Sequence, residues 1–264
     1  VQKLNQIPFL PISFFKTHRI QTTEFVPELT FQSSGTTGMS CLHHYNKSKK
    51  IYQESLYHGF TFFYQQPEQY VFLALLPNYL EQQNSSLIFM MDSLMNLSGA
   101  PENGYFLHDY EKLYHQLLDL QKKRKKTILW GVTFALLDFI EHYQLNFPEL
   151  IVFETGGMKG RRKEMVKEEL YEKLEKAFGV SQIHSEYGMC ELLSQAYSHG
   201  DNLFFTPPWM RLYLRDEKDP LASISPVSTG AVNVIDFANL YSCSFIATED
   251  LGRLHDNGGI EILG

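Results

Sequence analysis

The chain has 264 residues, 44% of them hydrophobic and 20% charged, a balance that excludes a disordered or fibrous protein. Its formal net charge of -7 argues against a protein that grips nucleic acid by neutralising phosphates, and no run is long and apolar enough to span a bilayer as a helix. Three scattered cysteines, Cys41, Cys190 and Cys243, offer neither a disulfide framework nor a metal spacing, and they fit a reducing, cytoplasmic setting.

Residues 1–30, rich in proline and aromatics, read as an irregular arm that packs on something. A small-residue loop follows, and then a helix is predicted over 47–63. The continuous apolar run 71–76, ended by Pro77, reads as a buried strand. Helical periodicity returns over 86–97 and 110–120, and the basic run at 122–126 reads as the solvated end of the second of these helices. A strand at 127–130 leads to Thr133, placed to cap a helix reaching about His142. A strand at 150–153 enters a glycine pair and then a charged helix over 161–178, which Gly179 ends. A short strand at 182–184 follows.

Strand, loop and helix alternate through this stretch, the pattern of an α/β domain with a largely parallel sheet. After Leu203 the pattern changes to short alternating runs at 211–214, 230–237, 242–248 and 259–263, which suggest an antiparallel or barrel-like lobe. The expected organisation is an α/β core over 1–200 and a β-rich lobe over 201–264, forming one structural unit.

Four stretches carry candidate chemistry. In Ser33-Ser34-Gly35-Thr36-Thr37-Gly38, small residues let backbone N–H groups approach phosphate oxygens closely, and the hydroxyls add donors. Gly156-Gly157 follows a predicted buried strand, where ligands of open α/β sheets gather and a flat ring can lie against the backbone. Ser185-Glu186-Tyr187-Gly188-Met189-Cys190-Glu191 offers an aromatic face, a glycine for close approach and a carboxylate for a hard cation. In Thr248-Glu249-Asp250-Leu251-Gly252, Asp250 can accept hydrogen bonds from vicinal hydroxyls. An ordinary turn is the competing reading of each stretch taken alone. Cys190 and His184 follow no hydrolase spacing, so the thiol reads as packed. His43, His44 and His58 have no ligand spacing and read as exposed.

Taken in series, the four stretches resemble those of the adenylate-forming enzymes: acyl-CoA synthetases, luciferases, adenylation domains and acyl-protein synthetases. Their phosphate loop is similar to residues 33–38 and their adenine-wall glycines to Gly156-Gly157. Their Tyr-Gly-x-Thr-Glu motif resembles Tyr187 to Glu191, and their Thr-Gly-Asp-Leu-Gly segment resembles Thr248 to Gly252. Pro11-Ile12-Ser13-Phe14-Phe15-Lys16 ahead of the loop looks most like the acyl-protein synthetase branch. The chain departs from the pattern at Met39-Ser40-Cys41, where a basic step is usual, at Cys190, where Thr is common, and at Glu249, where Gly is common.

The resemblance implies the large N-terminal core of such an enzyme, with layered sheets, helices and a smaller barrel-like lobe, ending ahead of the hinge and without the lid. It implies ATP and Mg²⁺ as cofactors and a fatty or aromatic carboxylic acid as substrate. The acceptor would be a thiol, either coenzyme A or a cysteine of a partner protein. Ser33, Ser34, Gly35, Thr36, Thr37 and Gly38 would hold phosphates, with the Thr36 and Thr37 hydroxyls following the leaving pyrophosphate. Gly156, Gly157, Tyr187 and Gly188 would surround adenine, Asp250 would hold ribose, and Glu191 would place Mg²⁺. Two other readings stay open: a nucleotide-binding module of the same fold without turnover, and an interaction protein whose glycine loops are only turns.

Overall fold

The computed structural model describes residues 7–32, 42–77, 84–156, 165–219 and 229–263. The arm contains a two-residue strand β1 (Leu10–Pro11) and a single helical turn α1 (Phe14–Thr17). Next come β2 (Leu29–Gln32) and β3 (His43–Asn46), which pair antiparallel as a separate hairpin, from Leu29 opposite Asn46 to Gln32 opposite His43. Residues 33–38, the expected phosphate loop, lie outside the described residues, but both strands that lead into and out of that stretch are fixed in the hairpin.

Helix α2 (Lys49–Tyr64) precedes β4 (Val71–Leu75). Side chains alternate between the two faces of a strand, and every residue of β4 is buried, so the sheet is covered on both faces there. Helix α3 (Ser86–Ser98) starts where the Ser85 hydroxyl accepts from Ile88 N, and it ends at Gly99 in the left-handed region. After β5 (Gly104–Tyr105), Asp109 caps α4 (Tyr110–Lys122) by accepting from Lys112 N. The fully buried β6 (Thr127–Val132), α5 (Thr133–His142), β7 (Ile151–Thr155) and α6 (Lys167–Phe178) complete the alternation. Strands β5, β4, β6 and β7 run parallel in that spatial order. The registered pair Trp130 and Phe153 stacks across β6 and β7 at 4.0 Å between ring centroids, a contact of about 1 kcal/mol beyond its area.

The next strand, β8 (His184–Tyr187), is parallel to β7 and antiparallel to β9 (Ala196–His199). From there the pairing is antiparallel through β10 (Leu203–Phe205), β11 (Met210–Arg215), β12 (Thr229–Asp236), β13 (Phe245–Leu254) and β14 (Ile260–Ile262). The spatial order is β11-β12-β13-β14-β10-β9-β8-β7-β6-β4-β5, with β1 beside β13. Strand β10 pairs with β14 on one side, Leu203 opposite Glu261, and with β9 on the other, Phe204 opposite Ser198, so the lobe from 201 onward and the parallel half share one hydrogen-bonded sheet.

Three local expectations are corrected. Thr133 does not cap α5; its hydroxyl donates instead to the buried carboxylate of Glu154. Helix α6 starts at Lys167 rather than at 161, with the described residues 165 and 166 ahead of it non-helical. Residues 185–187, read as loop, belong to β8, because pairing on both sides overrides their polar composition. The basic run behaves as expected: Lys122 ends α4, Lys123 pairs with Asp119, and Lys125 pairs with Glu102 at 2.6 Å.

Candidate active site

The site begins where β7 and β8 end. Gly156 directly follows β7 with φ of 81°, a conformation that favours glycine. Gly188 directly follows β8, and both glycines are exposed. Tyr187 closes β8, and its hydroxyl donates to Asp250 Oδ2 at 2.6 Å. Burial, with Asp250 beside it, holds the Tyr187 hydroxyl well above its ordinary pKa, so it stays a neutral donor. Two stretches that lie far apart in sequence thus meet in one hydrogen bond.

Asp250 was expected in a turn after a strand, yet it lies within β13. The ladder pairs Asn233 with Ala247 and Ala231 with Leu251, so Thr248, Glu249 and Asp250 stand opposite Val232 alone. Such a bulge frees a side chain from the regular alternation and re-aims it. The Thr248 hydroxyl donates to Val232 O at 2.9 Å, and Asp250 N donates back to that hydroxyl at 3.3 Å. Arg215 adds a bond from its guanidinium to Thr248 O at 2.8 Å.

The segment after Tyr187 is clamped from below. His44 Nδ1 lies 2.8 Å from Cys190 O, and Nε2 lies 2.9 Å from Asn239 Oδ1. Asn239 Nδ2 donates to Glu191 O at 2.7 Å. His44, expected to be exposed, is completely buried; burial pulls its pKa down to about 4 against the two oxygens that pull it up. Asp236, also fully buried, accepts from Leu193 N, Ser194 N, the Ser194 hydroxyl and Ala238 N. Cys190 is buried, as expected of a packed thiol. Because His44 belongs to β3, this clamp also ties the hairpin stem to the Tyr187–Glu191 stretch.

The Glu191 side chain is buried, which raises its pKa to about 7, while Lys16 pulls it down and Asp250 and Glu249 push it up. These three carboxylates share a neighbourhood, but among the described residues no three His, Cys, Asp or Glu side chains form a ready metal cage. Mg²⁺ held by one or two carboxylates together with substrate phosphates needs no such cage.

Beside Gly156 and Gly188 lies a half-open cavity of about 160 Å³, lined also by Tyr52, Leu87, Met90, Thr155, Glu186 and Gln195. Glu186 Oε2 accepts from the Thr155 hydroxyl at 3.2 Å, and burial raises the Glu186 pKa to about 7. Deeper in, Glu154 accepts from Thr133 and from Ser185, and Ser185 also bonds Tyr171.

Of the sequence-predicted residues, the structure brings Gly156, Tyr187, Gly188 and Asp250 together, with Glu191 close by. Ser33, Ser34, Gly35, Thr36, Thr37, Gly38 and Gly157 lie outside the described residues. Sequence reasoning took His44 for an exposed histidine and passed over Asn239, Asp236 and Gln195. Only Glu186 carried a signal, standing next to Tyr187 in the motif.

The fold is the mixed α/β fold of adenylate-forming enzymes, the acyl-CoA ligases and adenylation domains. Among solved structures it resembles the McyG A-PCP protein complexed with phenylalanyl-adenylate, at a TM-score of 0.64 and 18% identity over 92% of this chain and 48% of that one. It also resembles O-succinylbenzoate coenzyme A synthetase (MenE) from Bacillus subtilis in complex with ATP and magnesium, at 0.61 and 17% over 89% of this chain and 49% of that one. The amide bond synthetase McbA from Marinactinospora thermotolerans matches at 0.60 and 15%, over 89% and 48%. The chain thus spans about half the length of these structures. At the level of sequence, neither a family model nor a curated protein matches it. No helix of the described residues is long and apolar enough to cross a membrane.

Proposed function

We propose that the chain binds ATP with Mg²⁺ and activates a carboxylic acid as its acyl-adenylate, releasing pyrophosphate, before the acyl group passes to a thiol of coenzyme A or of a partner protein. The observation that carries this reading is the Tyr187–Asp250 hydrogen bond beside Gly156, at the carboxyl ends of parallel strands in a fold shared with adenylate-forming enzymes. In such sheets, ligands bind beyond those strand ends.

The substrate carboxylate is already ionised near neutral pH, so its attack on the α-phosphorus needs no general base. The protein's task is to hold two anions in line and disperse their charge. Tyr187 would present its ring to adenine, with Gly156, Gly157 and Gly188 giving the base close access to the backbone. Asp250, its Oδ2 oriented by Tyr187, would accept from ribose hydroxyls. Residues 33–38 would enclose the β- and γ-phosphates, with the Thr36 and Thr37 hydroxyls on the departing pyrophosphate. Glu191 would help hold Mg²⁺, which when bound neutralises phosphate charge. The acyl-protein synthetase branch rests on residues 11–16 alone and concerns only the acceptor.

The test is pyrophosphate–ATP exchange by the full chain across a panel of carboxylic acids. Exchange that depends on one class of acid is expected. Stabilisation by Mg-ATP without exchange for any acid would replace this reading with a nucleotide-binding module, and no stabilisation at millimolar Mg-ATP would remove nucleotide binding altogether.

A further inference from the structure

Away from the candidate site, exposed apolar side chains gather where the arm crosses the connection between β12 and β13. That connection begins as a single 3₁₀ turn, Phe237–Asn239, capped by the Asp236 carboxylate, which accepts from Ala238 N. Side chains three residues apart eclipse in such a turn. Phe237 and Leu240 therefore share a face, and both stand in solvent, at 55% and 58% exposure. Asn239 points the other way and is buried in the clamp under Glu191, so the turn is rigidly mounted. Rings extend the face in both directions. Phe237 meets Phe245, and Phe245 meets Phe9 at 5.6 Å between centroids. On the other side Tyr241 meets Phe25, and Val26 follows it at 88% exposure. Thr22 ties the arm to this connection by donating to Leu240 O and Tyr241 O, and the Ser242 hydroxyl donates to Ile20 O. A single exposed apolar side chain needs no explanation, but a contiguous row marks a surface that meets something.

Two cations flank the Tyr241 end of the row. The Lys47 ammonium lies 4.2 Å from the centroid of the Tyr241 ring. The Arg19 guanidinium lies 4.7 Å from that of Tyr45 and donates to Phe25 O at 3.5 Å. Both are exposed, and neither forms an ion pair among the described residues. Of the acids on the arm, Glu24 and Glu28, the second is engaged in accepting from Lys49 N. Unpaired cations beside exposed rings, in a chain of net charge -7, call for an anionic partner. Shape narrows it further. The cavity described beside the row holds about 10 Å³, room for one water at most. A protein partner anchors its large side chains in pockets. A lipid surface needs only projecting apolar side chains with cations at their rim.

We propose that this row docks the protein on an anionic lipid surface, with Phe237, Leu240 and Val26 entering the boundary between headgroups and acyl chains and with Arg19 and Lys47 pairing with the headgroups. The proposal goes beyond the adenylation reading and does not depend on it, because none of these five residues belongs to the candidate site.

Flotation of the full chain with vesicles of phosphatidylcholine, alone or mixed with phosphatidylglycerol, tests this. Binding is expected to favour the anionic vesicles and to weaken as salt rises. Phe237→Glu combined with Leu240→Glu should lower the partition coefficient about tenfold or more. Arg19→Glu combined with Lys47→Glu should abolish the preference for phosphatidylglycerol. Phe237→Trp should add emission that shifts to the blue on binding and is quenched by brominated acyl chains. All five positions are at the surface, so thermal melts should stay near that of the parent, which separates lost binding from lost folding. No binding to either vesicle overturns the proposal, as does binding that the Phe237 and Leu240 variant leaves intact. Equal binding to both vesicles overturns the role of the cations. Binding to polyglutamate but not to vesicles assigns the row to an acidic protein and overturns the lipid surface. A dimer that Phe237→Glu dissolves, without vesicle binding, assigns it to a second copy of the chain and overturns it equally.

Discussion

Two carboxylates, the fully buried Asp236 and the half-buried Glu186, lie within a few strands of each other and are treated in opposite ways. Asp236 sits under the segment that follows Tyr187 and accepts from four donors, three of them backbone N–H groups. Glu186 lines a cavity and has one described donor, Thr155. A buried polar group with all its partners fixes the structure around it, whereas one with few partners is held less firmly. The first group holds the segment after Tyr187 in shape, and the second lines open space.

The largest expected effect comes from breaking the saturated side. Asp236→Ala leaves several buried donors without a partner and should cost about 3–5 kcal/mol, read as a lower denaturant midpoint at unchanged slope. Next is the acid limb of stability. Burial lowers the His184 pKa to about 4 from 6.5, while the Tyr64 hydroxyl lies 3.0 Å from its Nδ1. The folded state therefore binds the proton less well than the unfolded state. The contribution is complete above pH 6.5 and is lost as pH falls toward 4, about 3 kcal/mol in all. His184→Gln should flatten that limb in urea titrations across this window.

Asp250 stands between the extremes, with one donor from Tyr187 and, by the proposed function, the rest from ribose. Asp250→Ala should weaken Mg-ATP binding about tenfold or more in calorimetry, while lowering the melting temperature in the absence of ligand less than Asp236→Ala does, since only the Tyr187 hydroxyl loses a partner. The smallest effect is expected at Glu186. Its pKa is raised to about 7, so the folded state binds this proton more tightly than the unfolded one, and the stability it confers below pH 4.5 is lost as pH rises through 7. Glu186→Gln should then stabilise the protein at pH 8 by about 1 kcal/mol, since the cavity softens the burial cost, and change little at pH 4. Destabilisation at pH 8 would erase the contrast between the two carboxylates.

The parallel half of the sheet was legible because its signals are local. Val71 to Leu75 is uniformly apolar and fully buried, and Gly179 ends its helix in a left-handed conformation, each as its neighbours in sequence suggest. What escaped was decided at long range. His184-Ser185-Glu186-Tyr187 carries no apolar alternation and is a strand only because β7 and β9 flank it. His44 looks like a surface histidine until Cys190 and Asn239, 146 and 195 residues away, close on its two nitrogens. The antiparallel strands were foreseen, but their continuity with the parallel half depends on Leu203 meeting Glu261, which no local pattern announces. In the site, glycine and aromatic positions stood out by their chemistry, whereas the cavity lining appears only once Tyr52, Met90 and Gln195 are brought to Gly156 and Gly188.

The bulge on β13 sets a rule of length as well as of identity. Three residues there answer one on the neighbouring strand, so the segments on either side keep the same inward and outward parity. Removing or adding a single residue at this point would turn every side chain from Leu251 onward to the wrong face of the sheet. A surface turn tolerates insertions and deletions readily; this stretch should accept a changed letter far more easily than a changed count, and the aspartate's aim depends on that count.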